Sequence, residues 1–172
     1  MSLSEHHPTP ISQVLVRHFQ LGDEASFRSL NEEWITRYFK LEPKDSEVLN
    51  DPQRTILDRG GKILFATIDG LCIGCCALLR ISDPEFGDRQ FEVAKMAVSP
   101  SYRGAGIGRK LLEATIEAGR SAGAKRLYLE TNDSLKSAIR LYESVGFRHL
   151  PADRITPSPY ARANVYMEMM LD

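Results

Sequence analysis

No apolar run in this 172-residue chain approaches the roughly 18 to 20 residues that cross a bilayer, so no membrane span is expected. Net charge is missing too. Lys and Arg number 22 against 23 Asp and Glu, a formal charge of −1. That excludes a general nucleic-acid binder, which needs a basic stripe to displace counterions. Cysteine is scarce, and Cys72, Cys75 and Cys76 crowd one apolar run with no distant partner. They build neither a disulfide framework nor a zinc site with a second ligand pair, and read as small buried strand residues. The polar N-terminus, Met1 to Pro10, lacks the apolar core of a secretory signal. Residues 1–11 are expected to form a disordered or extended tail. His6 and His7 in it read as an exposed pair, and no metal is expected. Reduced cysteines and the missing signal point to a cytoplasmic protein.

What is present is enough apolar content, 42% of residues, to build a core, and residues 12–172 are expected to form a single domain. Val14 to Phe19 reads as a strand. A helix then starts at Gly22-Asp23, with Phe27, Leu30, Trp34 and Tyr38 at helical spacing on one apolar face. A second helical segment is expected over about Ser46 to Arg59, with Asp51-Pro52 as a cap and first-turn proline and Gly60-Gly61 as the stop. Lys62 to Ile68 and Leu71 to Ile81 flank Asp69-Gly70, a strong hairpin signal because both turn residues must tolerate positive φ. After a loop over Asp83 to Asp88, Gln90 to Val98 reads as a strand that Ser99-Pro100 ends. A helix to about Ala122 follows, its inner face carrying Ile107, Leu111, Ala114, Thr115 and Ala118. Lys125 to Thr131 reads as a buried strand. Asn132-Asp133 is expected to cap a helix from Ser134 to Val145, which Gly146 stops. Phe147 to Leu150 and Ala163 to Leu171 complete a β-α-α-β-β-β-α-β-α-β-β order. The β-α-β unit within it implies one parallel pair in an otherwise antiparallel, helix-flanked α/β sheet.

The most informative stretch is Arg103-Gly104-Ala105-Gly106-Ile107-Gly108-Arg109-Lys110, between a strand and a helix. Three glycines in five residues let the backbone approach an anion, and a helix opening there aims unpaired N–H groups and a positive dipole end at it. Arg103, Arg109 and Lys110 add formal positive charge, so a diphosphate is the natural ligand. A nucleotide-triphosphate loop requires glycine five residues after Gly104, where Arg109 stands, and a hydroxyl after the lysine, where Leu111 stands. The dinucleotide fingerprint fails at Arg109 as well.

A third pattern, Arg/Gln-x-x-Gly-x-Gly/Ala after a strand ending in Val-x-Pro, fits Val98-Ser99-Pro100 and Arg103 to Gly108 throughout. Leu127-Tyr128-Leu129-Glu130-Thr131-Asn132 and Ala138-Ile139-Arg140-Leu141-Tyr142-Glu143-Ser144-Val145-Gly146-Phe147 follow in order. On these motifs the chain resembles the GNAT family of N-acetyltransferases, well over Leu64 to Leu171 and in outline over Ser12 to Arg59.

The resemblance implies the GNAT-like fold, with a central splayed parallel strand pair, and acetyl-CoA as co-substrate. The turn from Arg103 through Gly104, Ala105, Gly106, Ile107 and Gly108 to Arg109 would hold the CoA pyrophosphate on its amides. Met96, Ala97 and Val98 would offer free backbone groups to the pantetheine, and an N–H near Met96 or Ala97 would serve the oxyanion. Glu92 occupies the position of a family general base. Its other reading is a structural or substrate-positioning carboxylate. Tyr142 matches a tyrosine placed near the CoA sulfur as acid or thiolate donor, or else it simply packs. Asn132 contacts the CoA chain, caps a helix, or does both. Leu135 departs from the family, which often has asparagine there, and removes one expected CoA contact. For the acceptor, an unidentified amine, the candidates are Glu32, Glu33, Trp34, Tyr38 and Glu42 on one side and Tyr160, Arg162 and Asn164 on the other. The expected activity is direct acetyl transfer to a primary amine in a ternary complex. The alternative is a non-catalytic acyl-CoA-binding regulatory domain, and transfer of a longer acyl chain also stays open. Neither nucleic acid nor membrane is expected as a partner, and homodimer formation is left open.

Overall fold

The computed structural model describes residues 13–172, so the expected tail, with His6 and His7, lies outside the described residues. The elements are β1 (Leu15–His18), α1 (Glu24–Tyr38), α2 (Pro43–Asn50), β2 (Lys62–Ile68), β3 (Leu71–Asp83), β4 (Gly87–Val98), α3 (Ile107–Ser121), β5 (Arg126–Thr131), α4 (Lys136–Val145), β6 (Arg148–His149) and β7 (Val165–Met170). They form one seven-stranded sheet in the order β1-β2-β3-β4-β5-β7-β6. Every pairing is antiparallel except that of β4 with β5. The Asp69-Gly70 hairpin forms as the dipeptide requires, with φ of 49° and 79°.

Helices cover both faces, which is why β2 and much of β3 are continuously apolar rather than alternating. On one face Ile107, Leu111, Leu112 and Ile116 of α3 pack on Leu78, Phe91, Val93 and Leu127, with Tyr142 of α4 alongside. On the other, Phe27 and Ile35 of α1 and Val48 and Leu49 of α2 pack on Ile63, Phe65, Cys75 and Ala97. The inner face of α3 includes Ile107, Leu111 and Thr115 as expected, but Leu112, Ile116 and Gly119 complete it. Ala114 and Ala118 sit at its edge, partly buried.

Three local readings need correction. The buried stripe of α1 is Phe27, Asn31 and Ile35, while Tyr38 is 54% exposed. Hydropathy hides Asn31, whose amide is satisfied by the Phe27 carbonyl at 2.9 Å and the Cys75 sulfur at 3.4 Å. The second helical segment is two pieces. α2 starts at Pro43, fixed by a capping box in which the Asp45 carboxylate accepts the Glu42 N–H at 3.0 Å. It stops before Pro52, and a π-helical turn, Gln53–Leu57, follows, with Asp51 accepting the Arg54 N–H at 3.1 Å. Finally, α4 starts two residues late: Asn132 accepts the Ser134 N–H at 2.9 Å in a local turn, and Leu135 precedes the helix.

Two irregularities in β4 shape its centre. Cys75 pairs with Ala97 and Ala77 with Ala94, so Lys95 and Met96 together oppose Cys76 in a β-bulge. Lys95 takes the left-handed conformation, φ 53°. The bulge reverses the alternation of the strand: Phe91 and Val93 face α3, whereas beyond it Ala97 faces α1 and Met96 and Val98 face α3. The second irregularity is splay. Pairing with β5 covers only Gln90 to Glu92 against Arg126 to Tyr128, and the strands then part.

Candidate active site

The parted strands open a cavity of about 640 Å³ between β4 and β5. Its lining includes Glu92, Met96, Ala97, Val98, Arg103, Gly104, Gly106, Ile107, Gly108, Asn132 and Tyr142, so most sequence candidates converge on one cleft. Ala105 and Arg109 do not line it. Ala105 packs against the core. The Arg109 guanidinium turns along the surface to Glu113, 3.2 Å, and to the Ser144 hydroxyl.

The turn before α3 is a backbone cradle. Gly104 and Gly106 take left-handed φ values of 80° and 79°. A Cβ at Gly104 would meet nothing within 4 Å, so its backbone faces open space. Gly106 is the N-cap of α3 and provides no side-chain cap, leaving the N–H groups of the first turn directed outward. The expected formal charge is partnered instead. Arg103 pairs with Glu33 at 2.9 Å and donates to the Val98 carbonyl at 3.1 Å. Lys110 donates to the Val14 carbonyl. An anion here is met chiefly by main-chain dipoles, which fits a pyrophosphate flanked by the open edge of β4. Asn132 has both side-chain groups engaged, its amide donating to the Arg162 carbonyl at 2.7 Å.

Glu92 is the last β4 residue paired with β5, so its carboxyl stands where the strands separate. It forms no hydrogen bond or ion pair among the described residues. Burial raises its pKa to about 7, reinforced by the like charge of Glu130 and opposed by Lys95 and Lys44. Tyr142 is 9% exposed and packs edge-on against Phe147 at 6.0 Å. Burial pushes its phenol well above the usual range, so it is a neutral O–H at the cavity wall.

Across the cleft lies a polar cluster that the sequence did not disclose. Asp45 of α2, fully buried, binds Lys95 Nζ at 2.7 Å and Arg162 Nη2 at 2.6 Å. Burial pushes the Asp45 carboxyl up, but the Arg162 and Lys95 hydrogen bonds outweigh it and hold the pKa at about 2. Tyr160 receives a hydrogen bond from Lys95 at 3.1 Å, and the Arg162 guanidinium stacks 4.6 Å from its ring. Glu42 pairs with Arg162 at 3.2 Å. Of the acceptor candidates, Trp34, Tyr38, Tyr160 and Arg162 line the cavity. Glu32 instead faces Arg28, Glu33 holds Arg37 and Arg103, and Asn164 accepts the Asp133 N–H. The only sequence signal for Asp45 was its position three residues after Glu42 beside a proline. Among the described residues no group of three or more His, Cys, Asp or Glu is arranged to hold a metal ion. No helix among them is long and apolar enough to cross a membrane. Cys75 and Cys76 are buried, with thiol pKa values raised by burial, and none of the three cysteines lines the cavity.

Comparison with known proteins agrees with this geometry. Residues 27–147 match the model of the acetyltransferase (GNAT) family. The IAA acetyltransferase of Azospirillum brasilense is 36% identical over 129 residues, covering 74% of this chain and 78% of that protein. N-acetyltransferase family 8 member 2 of Rattus norvegicus is 30% identical over 100 residues, 58% of this chain. The chain spans 44% of that rat protein's length, and less than half of several other curated relatives it matches. Among solved structures, a phosphinothricin acetyltransferase from Sinorhizobium meliloti in complex with acetyl-CoA superposes with a TM-score of 0.74 at 20% identity, over 92% of this chain and 89% of that one. With most of its length matching the family model and its strands splayed above a glycine cradle, the chain belongs to the GNAT acetyltransferase family.

Proposed function

We propose that the protein is an acetyl-CoA-dependent N-acetyltransferase that acts on a primary amine by direct attack in a ternary complex, residues 12–172 working as one domain. The observation that carries this reading is the position of Glu92: an unpaired carboxyl, pKa about 7, at the apex of the strand splay. Acetyl-CoA, when bound, supplies the activated acetyl group. The Gly104–Arg109 amides hold its pyrophosphate, and the free edge of Met96 to Val98 pairs with its pantetheine. Asn132 joins this site through its position in the lining rather than through a free side chain.

An alkyl amine of pKa about 10.4 arrives protonated and must lose a proton before it can attack. Glu92 accepts that proton and passes it to solvent. As the nitrogen bonds to the carbonyl carbon, a β4 N–H near Met96 or Ala97 donates to the developing oxyanion. Tyr142, neutral because it is buried, donates its O–H proton to the departing sulfur. The second proton lost by the acceptor nitrogen restores the phenol. No cysteine is needed as an acyl carrier, and none is in the cleft.

Acetyl-CoA titrated into wild type and into Gly106→Trp tests the donor half. Wild type binds; the variant, forced from φ 79° and filled at the cradle, binds at least roughly tenfold more weakly. Equal affinity of the two proteins would remove the turn from the site.

A further inference from the structure

A second cavity of about 460 Å³ adjoins the first, and the walls they share are Glu92 and Glu130. The register explains why. Glu92 pairs with Tyr128, and Glu130 lies two residues further along β5 on the same side, opposite the core-facing Leu127 and Leu129. Glu130 Oε2 is buried and has no hydrogen-bonding partner among the described residues. A buried carboxylate oxygen left so is costly unless a ligand satisfies it.

The charges around it are partnered. Arg126 pairs with Glu168 at 2.7 Å and bonds Gln90, while Arg154 pairs with the same Glu168 at 2.8 Å. Lys95 and Arg162 are held by Asp45, and Lys44 by Glu47 at 3.4 Å. Thus each of these cations has a carboxylate partner, whereas Glu92 has none among the described residues and Glu130 leaves Oε2 unfilled. The β3–β4 turn, which lines the second cavity, adds Asp83 and Glu85. An incoming carboxylate would find repulsion there, and an incoming ammonium would find acceptors.

We propose that Glu92 and Glu130 together form the ammonium site of the acceptor, and that the second cavity holds the body of a cationic aliphatic amine, a diamine rather than a zwitterionic amino acid. This rests on the acetyltransferase reading and narrows its acceptor. Glu92 takes the proton while Glu130 keeps the nitrogen in line through Oε2, so Glu130 is an acceptor-binding residue. Charge supports the pairing. Burial raises the Glu130 pKa, opposed by a hydrogen bond from Ser158, and the nearness of Glu130 helps raise that of Glu92. The other charged or titratable groups around the pair are Lys95 on β4, Lys44 and Asp45 on α2, Arg126 and Tyr128 on β5, Tyr166 on β7, and Tyr160 and Arg162 on the loop before β7, with Asp83, Glu85 and Arg154 on the walls of the second cavity.

The test compares 1,5-diaminopentane with alanine and glutamate as acceptors, using wild type and Glu130→Gln and following CoA thiol release. Wild type should favour the diamine roughly tenfold or more in kcat/KM, and Glu130→Gln should raise the diamine KM by about the same factor while the acetyl-CoA Kd holds. In that variant the ionisation near 7 in the pH profile of kcat/KM should also move to lower pH, because a like charge beside Glu92 is gone. Equal or better use of the amino acids, or an unchanged diamine KM, overturns the inference while leaving the acetyltransferase reading intact. If Glu130→Gln does not fold, the wild-type preference and the KM of Glu130→Asp decide. Acetyl-CoA binding without transfer to any of these amines overturns both.

Discussion

Glu92 carries two opposing demands. A carboxyl whose pKa is raised on folding costs nothing below its unfolded value, near 4.5. The cost grows as pH rises through about 7, because the folded site must then hold an ill-solvated charge. Glu92→Gln is therefore expected to raise the thermal midpoint at pH 8, with the difference vanishing near pH 4, and to lower kcat by roughly 10²- to 10⁴-fold. Thermal melts at both pH values, beside steady-state rates, check the pair of effects. A lower midpoint at pH 8 would mean that the carboxylate stabilises the fold. Tyr142→Phe keeps the packing against Phe147 and removes only the hydroxyl, so its expected signature is a reduced kcat with an unchanged acetyl-CoA Kd. The turn proposed to hold the donor was legible because its shape is a backbone property: glycine spacing and a proline stop write it locally. Arg109 shows the limit of that reading. Its residue type fitted an anion site, but Glu113 lies one turn along the same helix and takes the guanidinium.

At the scale of elements, the cleft depends on β4 being bent and then abandoned by β5. The bulge at Lys95 holds a non-glycine residue in a left-handed conformation, a cost of about 1 kcal/mol or more. The ion pair of Lys95 with buried Asp45 opposes that cost and ties β4 to α2. Asp45→Asn leaves Lys95 and Arg162 facing a neutral amide, and a loss of about 3–5 kcal/mol is expected, measurable by urea unfolding at pH 7. The sign of the pH effect follows from the depressed pKa. The stabilisation is full above the unfolded value near 3.8 and is lost as pH falls through about 2, and an acid titration of the wild type should show that loss where Asp45→Asn does not. None of this was readable along the chain, since Asp45 meets Lys95 across 50 residues and Arg162 across 117. The α1 face was misread for a related reason: Asn31 is buried because a partner on β3 satisfies it, and hydropathy does not register partners.

Over the whole molecule, the sheet divides labour between its faces. The α3 and α4 face carries the larger core and the donor cradle, with order and element boundaries close to what periodicity and turn chemistry predict. The α1 and α2 face carries the Asp45 ion pairs and the two glutamates proposed to hold the amine. Single residues such as Glu92 and Arg162 were legible there while their arrangement was not, because it comes from side chains of α2, β4, β5 and the loop before β7 meeting in space. The most direct measurement is the initial velocity of CoA release with acetyl-CoA and 1,5-diaminopentane varied together, the acetylated amine identified by mass. Direct transfer predicts a mono-acetylated diamine and double-reciprocal lines that intersect. Parallel lines would indicate an acyl-enzyme and contradict direct attack, and no product above the uncatalysed rate with any amine would contradict the enzyme itself.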